Sequence, residues 1–152
     1  MTITRILTVL MIGMCFKVHQ QPARQPYWVS ETGLTQFQQA KNIGLLAHNN
    51  QDGKYFDNIV VGSRIRLHTN DDKILVYEVT SIEKWQVLEP SRTYLNLDTN
   101  RTMTEAQLGF HYYGKMSGLV LQTCIEKGGY RQWGRMFISA RYVGTETRKQ
   151  VE

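Results

Sequence analysis

The chain has little cysteine: Cys15 and Cys124 are the only two among its 152 residues. Cys15 lies in an N-terminal segment that we expect to be a leader, so the mature chain would keep one thiol with no intramolecular partner. An unpaired thiol in an exported chain is a candidate reactive group. The alternative is a buried structural cysteine, because free cysteine is among the most buried residue types.

Other features are absent as well. The four histidines and the remaining cysteine show none of the close-paired spacings of zinc sites, and we expect no metal and no cofactor. There are no internal repeats and no glycine-rich phosphate loops. The formal net charge is +5, but lysines and arginines are scattered rather than striped with aromatic residues, so no nucleic-acid partner is expected.

Long hydrophobic runs are also missing. The N-terminal apolar stretch Ile6–Phe16 has 11 residues and follows Arg5. This length suits the core of a signal peptide and falls short of the roughly 20 residues of a membrane-spanning helix. We therefore expect residues 1–17 to be a signal peptide or, alternatively, a short membrane anchor, and the protein to be exported, either extracellular or associated with the membrane at the cell surface through this segment.

The rest of the chain indicates one domain, since 152 residues with 41% apolar content bury one core. We expect a polar linker with Pro22 and Pro26 over residues 18–30, a catalytic domain over 31–144 and a polar tail over 145–152. Short strands such as Arg64–Thr69 and Lys73–Thr80, joined by a turn at 70–72, predict an antiparallel barrel or sandwich.

Two short helices are predicted beside these strands. Leu34, Phe37 and Ile43 follow a helical spacing. Thr104 and Gln107 fit a capping box ahead of Leu108. Between them, residues 90–103 read mostly as loop.

The thiol and a fixed cation lie at the ends of two apolar strands. Cys124 ends one strand and Arg135 begins the next, and the loop between them contains Gly128-Gly129. Antiparallel strands joined there would return Arg135 to the same end of the sheet as Cys124. His48 likewise follows an apolar strand, where a loop can expose its imidazole. The sequence thus predicts that a thiol and a guanidinium face one substrate.

Four segments carry a resemblance to a known family: Ala47-His-Asn49, Asp57-Asn-Ile-Val-Val-Gly-Ser-Arg-Ile-Arg-Leu67, Leu119-Val-Leu-Gln-Thr-Cys124 and Arg135-Met-Phe-Ile-Ser-Ala140. From Thr32 to Val143 the chain resembles the sortases, the cysteine transpeptidases of bacterial cell surfaces. The resemblance implies an all-β fold, a closed eight-stranded barrel with one or two short helices. It also places the family's histidine, nucleophile and arginine on His48, Cys124 and Arg135.

The implied function is cleavage of a C-terminal sorting peptide on a protein substrate through a thioester on Cys124, followed by transfer of the acyl group to an amine acceptor at the cell envelope. A thiolate is the attacking form of cysteine, and His48 and Arg135 would supply the electropositive surroundings that it needs. Secondary candidates for substrate contact are Asn49, Thr123 and Trp133.

Two alternatives stay open. One is a different exported thiol hydrolase or an L,D-transpeptidase-like enzyme. Chain order opposes papain-like peptidases, in which cysteine precedes histidine, and the Ser/Thr-His-Gly-Cys context of L,D-transpeptidases is absent. The other is a barrel of the same architecture that only binds and has lost turnover.

Overall fold

The structure, a computed structural model, describes residues 5–20, 33–39, 42–115 and 118–147. Ten strands lie in these ranges: β1 (Ile6–Met11), β2 (Met14–Gln20), β3 (Leu34–Gln39), β4 (Asn42–Leu46), β5 (Arg64–Thr69), β6 (Lys73–Leu88), β7 (Thr93–Asn96), β8 (Thr102–Met103), β9 (Gly118–Lys127) and β10 (Tyr130–Thr147). A 3-10 helix (Asp52–Asn58), helix α1 (Glu105–Gly109) and a π-helical turn (Phe110–Lys115) complete the described elements.

The strands form a closed barrel. Their order is β10-β9-β4-β3-β2-β1-β5-β6, and β6 pairs in turn with β10, which closes the eight-stranded circle. The long strand β6 pairs along one edge with β10, while its other edge pairs first with β5 and then with β7. Strands β7 and β8 therefore extend the sheet beyond the barrel at one end. The predicted all-β barrel with short helices is confirmed.

Two apolar clusters lie on opposite faces of the barrel wall. Alternation along β9 sends Leu119, Leu121 and Thr123 to the inner face and Val120, Gln122 and Cys124 to the outer face. The inner cluster fills the barrel. The outer cluster packs α1 and the π-helical turn against the wall, and its buried members are Trp85, Tyr94, Met103, Leu108, Tyr112, Tyr113, Val120 and Phe137. Trp85 thus belongs to core packing, as its apolar character favours.

The segment predicted as a leader differs from that expectation. Strands β1 and β2 form a hairpin that pairs with β5 on one side and with β3 on the other. Ile6 and Val9 are fully buried, while Leu7 and Leu10 are exposed. An apolar composition that suits a signal peptide also suits a barrel strand, and here the two strands are needed to join β3 to β5. Residues 6–17 are therefore part of the sheet.

The predicted linker begins inside β2, and its residues 21–30 lie outside the described ranges. No helix among the described residues is both long enough and apolar enough to cross a membrane. At the other end, β10 continues through Thr147, so the predicted polar tail starts as strand, and residues 148–152 lie outside the description.

Local patterns are overridden at two further places. The segment predicted as a helix from its spacing contains β3, which pairs with β2 and β4. The region 90–103, predicted as loop, contains β7 and β8. By contrast, the capping box is confirmed. The Thr104 hydroxyl accepts a hydrogen bond from the Gln107 backbone amide, and the Gln107 side-chain oxygen accepts one from the Thr104 backbone amide.

Candidate active site

Cys124 and Arg135 are cross-strand partners. Strands β9 and β10 are antiparallel, and their register places Cys124 directly opposite Arg135. Gly128 and Gly129 make the tight connection with φ of 60° and 79°, a left-handed conformation that glycine adopts without strain. Directly opposed residues on neighbouring strands share a face, with Cβ atoms about 4.5–5.5 Å apart. The register thus places Cys124 and Arg135 side by side at one end of the sheet.

The Arg135 guanidinium has two neighbours that the sequence did not indicate. Its Nη2 lies 3.6 Å from Glu105 Oε1, and 27% of the Arg135 side chain is exposed. Its Cζ lies 5.2 Å from the centroid of the Tyr94 ring, within the range of a cation–π contact. Tyr94 belongs to β7, in the segment read as loop, and Glu105 is the first residue of α1. No local sequence pattern predicts either contact, although the capping box predicts the helix that carries Glu105.

The Cys124 thiol is half-buried. Burial raises its pKa, and the Arg135 guanidinium lowers it by a smaller amount, so the net pKa of Cys124 lies above its ordinary value. The neutral thiol is therefore the dominant resting form near pH 7. A stronger electropositive influence has to reach the sulfur before the attacking thiolate is well populated.

His48 follows β4, and its side chain is exposed. Strand β4 runs parallel to β9, with Leu46 opposite Gln122, and the Ala47 amide donates a 3.1 Å hydrogen bond to the Gln122 carbonyl. Continuing that register by two residues sets His48 level with Cys124. The His48 carbonyl accepts hydrogen bonds from the amides of Gln51 and Gly53, both at 3.0 Å, which fixes the loop that carries the imidazole.

Thr123 supports this loop from the opposite face of β9. Its side chain is 4% exposed, and Oγ1 donates a 2.8 Å hydrogen bond to the Ala47 carbonyl. The bond ties the residue before Cys124 to the residue before His48. The buried hydroxyl faces the barrel interior, on the face of β9 opposite to that of Cys124.

Gly53 fits against the same bond. A Cβ on Gly53 would lie 2.2 Å from Thr123 Oγ1 and 2.6 Å from the His48 carbonyl oxygen. No side chain fits in that space, so glycine lets the 3-10 helix approach closely. The sequence reasoning missed this residue, since Asp52-Gly53 read as an ordinary loop signal.

Asn49 and Trp133 flank the site near the β9–β10 turn. Asn49 Nδ2 donates a 3.3 Å hydrogen bond to the Arg131 carbonyl, which links the His48 loop to strand β10. Trp133 is half-buried, and Lys127 Nζ lies 4.7 Å from the centre of its ring. Both residues thus lie on the segments that border Cys124. Among the described residues, no group of three or more His, Cys, Asp and Glu side chains is arranged to hold a metal ion.

Comparison with known proteins gives a family and a fold. The model of the sortase domain family matches residues 1–143, a range that includes the β1–β2 hairpin. Sortase C from Streptococcus pneumoniae aligns with a TM-score of 0.61 and 13% identity, covering 96% of this chain and 71% of that one. Sortase A from Listeria monocytogenes aligns with a TM-score of 0.59 and 13% identity, covering 95% of this chain and 92% of that one.

A third structure, sortase C1 from Streptococcus suis, gives a TM-score of 0.60 and 14% identity over 92% of this chain and 73% of that one. At these identities the solved structures show a common fold. A search of curated proteins finds no match.

Proposed function

This chain belongs to the sortase family, and from that membership we propose that it is a cysteine transpeptidase that cleaves a C-terminal sorting signal and joins the upstream fragment to an amine. The observation that carries the proposal is the cross-strand pairing of Cys124 with Arg135, at the level where the β4–β9 register brings His48. Nucleophile, proton carrier and anion-stabilising cation are then available at one mouth of the barrel.

In the first half-reaction the Cys124 sulfur attacks the carbonyl carbon of the scissile peptide bond. The thiol proton passes to His48, a new carbon–sulfur bond forms, and the carbon–nitrogen bond breaks. His48 then gives the proton to the departing amine. The upstream fragment stays on the enzyme as a thioester. Histidine suits this role because its ordinary pKa lies near neutral pH.

The second half-reaction reverses these roles. An incoming amine attacks the thioester carbonyl, His48 accepts the proton of the amine, and the Cys124 sulfur leaves and is reprotonated. The product is a new amide. Water in place of the amine would give hydrolysis.

Arg135 stabilises the negative oxygen that develops in both half-reactions. Its guanidinium presents several N–H donors in a fixed fork, and a preorganised donor of this kind contributes about 2.7–4 kcal/mol to the transition state. Its register position directly opposite Cys124 supports this role, because opposed residues share one face of the sheet.

Sortases are associated with the cell surface in general, and we propose the same location for this protein, with a protein substrate and an envelope amine as its partners. Family membership, rather than the apolar segment Ile6–Phe16, is the ground for that proposal, because this segment contributes core side chains to the barrel.

The test is to incubate the purified protein with a library of sorting peptides, with and without an amine acceptor, and to trap the thioester for mass spectrometry. We expect an acyl adduct on the tryptic peptide that contains Cys124 and its loss in Cys124→Ala. Cys15→Ala is a matched control, because Cys15 is the other free cysteine and lies exposed on β2. Adducts that persist in Cys124→Ala, or no turnover of any peptide, would contradict the proposal.

A further inference from the structure

The Arg135 guanidinium contacts two residues, one on β7 and one on α1. The local strand order is β9-β10-β6-β7, so Cys124 lies on one side of β10 and Tyr94 of β7 lies on the other. The guanidinium contacts the Tyr94 ring at 5.2 Å and the Glu105 carboxylate at 3.6 Å. The cation is thus held between α1 and β7 on the face of the sheet that also carries Cys124.

The Tyr94 ring and the helix that carries Glu105 are fixed by packing. Tyr94 is fully buried in the outer cluster. Glu105 directly follows the Thr104 cap, and α1 is anchored by Leu108, which is 2% exposed in the same cluster. The carboxylate itself remains half-exposed, and an ion pair of this length at the surface is weak. Arg135 therefore has a defined resting position that costs little to leave.

We propose that Glu105 is a positioning residue that, together with the Tyr94 ring, holds Arg135 in a resting position. Arg135 leaves Glu105 and binds the substrate carbonyl oxygen as negative charge develops on that oxygen. This inference rests on the proposed function, because the developing oxyanion is the competitor for the guanidinium. A charged oxygen beside the sulfur offers Arg135 a charge-assisted hydrogen bond, which is stronger than the 3.6 Å pair.

The resting thiol agrees with this arrangement. Burial outweighs the influence of Arg135 on Cys124, and the pKa of the thiol is raised. With the guanidinium paired with the Glu105 carboxylate, part of its positive charge is offset. Release of Arg135 would therefore make the thiol more acidic.

Other charged and titratable groups surround the pair. The Tyr94 side chain and, to a smaller extent, the Glu105 carboxylate raise the pKa of Arg92. The Arg92 cation therefore lies near the carboxylate that pairs with Arg135. Burial raises the pKa of Tyr113, and Arg135 opposes this shift. The groups that a titration must consider are Arg92, Tyr94, Glu105, Tyr113, Cys124, Arg135 and, from the end of β4, His48.

The experiment measures the rate at which iodoacetamide alkylates Cys124 as a function of pH, in a Cys15→Ala background so that a single thiol reacts. We expect Glu105→Gln to shift the rate profile to lower pH and to raise the rate near pH 7 by about threefold or more, since thiolate content changes tenfold for each unit of pKa. Glu105→Asp keeps the charge but shortens the reach, and we expect it to behave like Glu105→Gln.

The combination with Arg135→Gln separates this mechanism from a direct effect of charge. If Glu105 acts through Arg135, Glu105→Gln has no effect in the Arg135→Gln background. A matched control is Glu78→Gln, which removes a carboxylate paired with Arg141 farther along the same strand pair, and it should leave the profile unchanged.

A shift that survives in Arg135→Gln, an unshifted Glu105→Gln profile, or a Glu105→Asp profile equal to wild type would each overturn the inference. Alkylation requires neither peptide nor amine. The result therefore stands apart from the thioester experiment, and failure of one is distinguishable from failure of the other.

Discussion

The Thr123 hydroxyl donates a 2.8 Å hydrogen bond to the Ala47 carbonyl and thereby joins strand β9 to the end of β4. Thr123 directly precedes Cys124, and Ala47 directly precedes His48. This buried bond thus reinforces the β4–β9 pairing that brings together two proposed reacting groups far apart in the sequence.

Replacing Thr123 with valine is the direct test of this bond. Valine fills the same volume but leaves the buried Ala47 carbonyl without its donor, which costs about 1–3 kcal/mol. We expect a lower free energy of unfolding, measured in urea, and slower acylation of Cys124. Thr123→Ser keeps the hydroxyl and should retain most of the acylation rate. Equal acylation in the valine and serine variants would show that the bond does not position the site.

Gly53→Ala probes the same contact from the other side. The added methyl group would meet Thr123 Oγ1 at 2.2 Å, so the 3-10 helix or the His48 loop has to move. We expect a loss of stability of about 1–3 kcal/mol, as for an overpacked core, together with slower acylation. Gly144→Ala is the control, because a Cβ there meets nothing within 4 Å. Thermal melts of both variants provide the comparison, and equal melting temperatures would contradict the prediction.

The β1–β2 hairpin can be tested with neighbouring residues. Ile6 is fully buried, whereas 43% of Leu7 is exposed. We expect Ile6→Ala to cost about 2–5 kcal/mol and Leu7→Ala to change stability by no more than about 0.5 kcal/mol. Chemical denaturation measures both. Similar, small effects at the two positions would mean that this segment is not part of the packed barrel.

Arg135→Gln removes the proposed oxyanion donor, and we expect kcat/KM to fall by about 100–1000-fold. Arg135→Lys keeps the charge but loses the two-pronged donor geometry, so most of the activity should be lost as well. Arg141→Lys, an exposed position on the same strand, serves as the control in steady-state assays with a peptide that the library experiment selects. Full activity in Arg135→Lys would show that charge alone is sufficient.

Stability should depend on pH through Cys124. Because burial raises the pKa of the folded thiol, the folded state retains its proton at pH values where the unfolded thiol, with a pKa of about 8.5, has lost it. The contribution of the thiol to the free energy of unfolding is complete below the pKa of the unfolded thiol. It is lost as the pH rises through the pKa of the folded thiol.

We therefore expect the free energy of unfolding to fall more for wild type than for Cys124→Ser as the pH rises from neutral to alkaline. Burial also raises the pKa of Tyr77, Tyr112 and Tyr113, but their alkaline loss is common to both proteins and cancels in the comparison. Urea unfolding at several pH values measures the difference, and a pH-independent difference would contradict the raised thiol pKa.

The sequence was most informative where local and long-range signals agree. The strands around Cys124 and Arg135 are bounded by glycine and are mainly apolar, so their pairing and the shared end of the sheet followed from local rules. The Thr104 capping box located α1 for the same reason, since both of its hydrogen bonds are made within one turn.

The errors arose where tertiary contacts decide. The composition of Ile6–Phe16 fits a signal peptide and a barrel strand equally well, and only pairing with β5 distinguishes them. Leu34 and Ile43 match a helical period by spacing but lie on two paired strands. The approach of Tyr94 and Glu105 to Arg135 depends on how β7 and α1 pack on the outer cluster, which no local pattern specifies.

The Cys124 sulfur lies on the outer face of a barrel whose interior is packed with apolar side chains, so the proposed polypeptide substrate would not have to enter that interior. Residues that fill the barrel and residues that would contact this substrate are consequently separate sets. A substitution in the outer layer from β7 to the π-helical turn can therefore reshape the surface near Cys124 without repacking the interior.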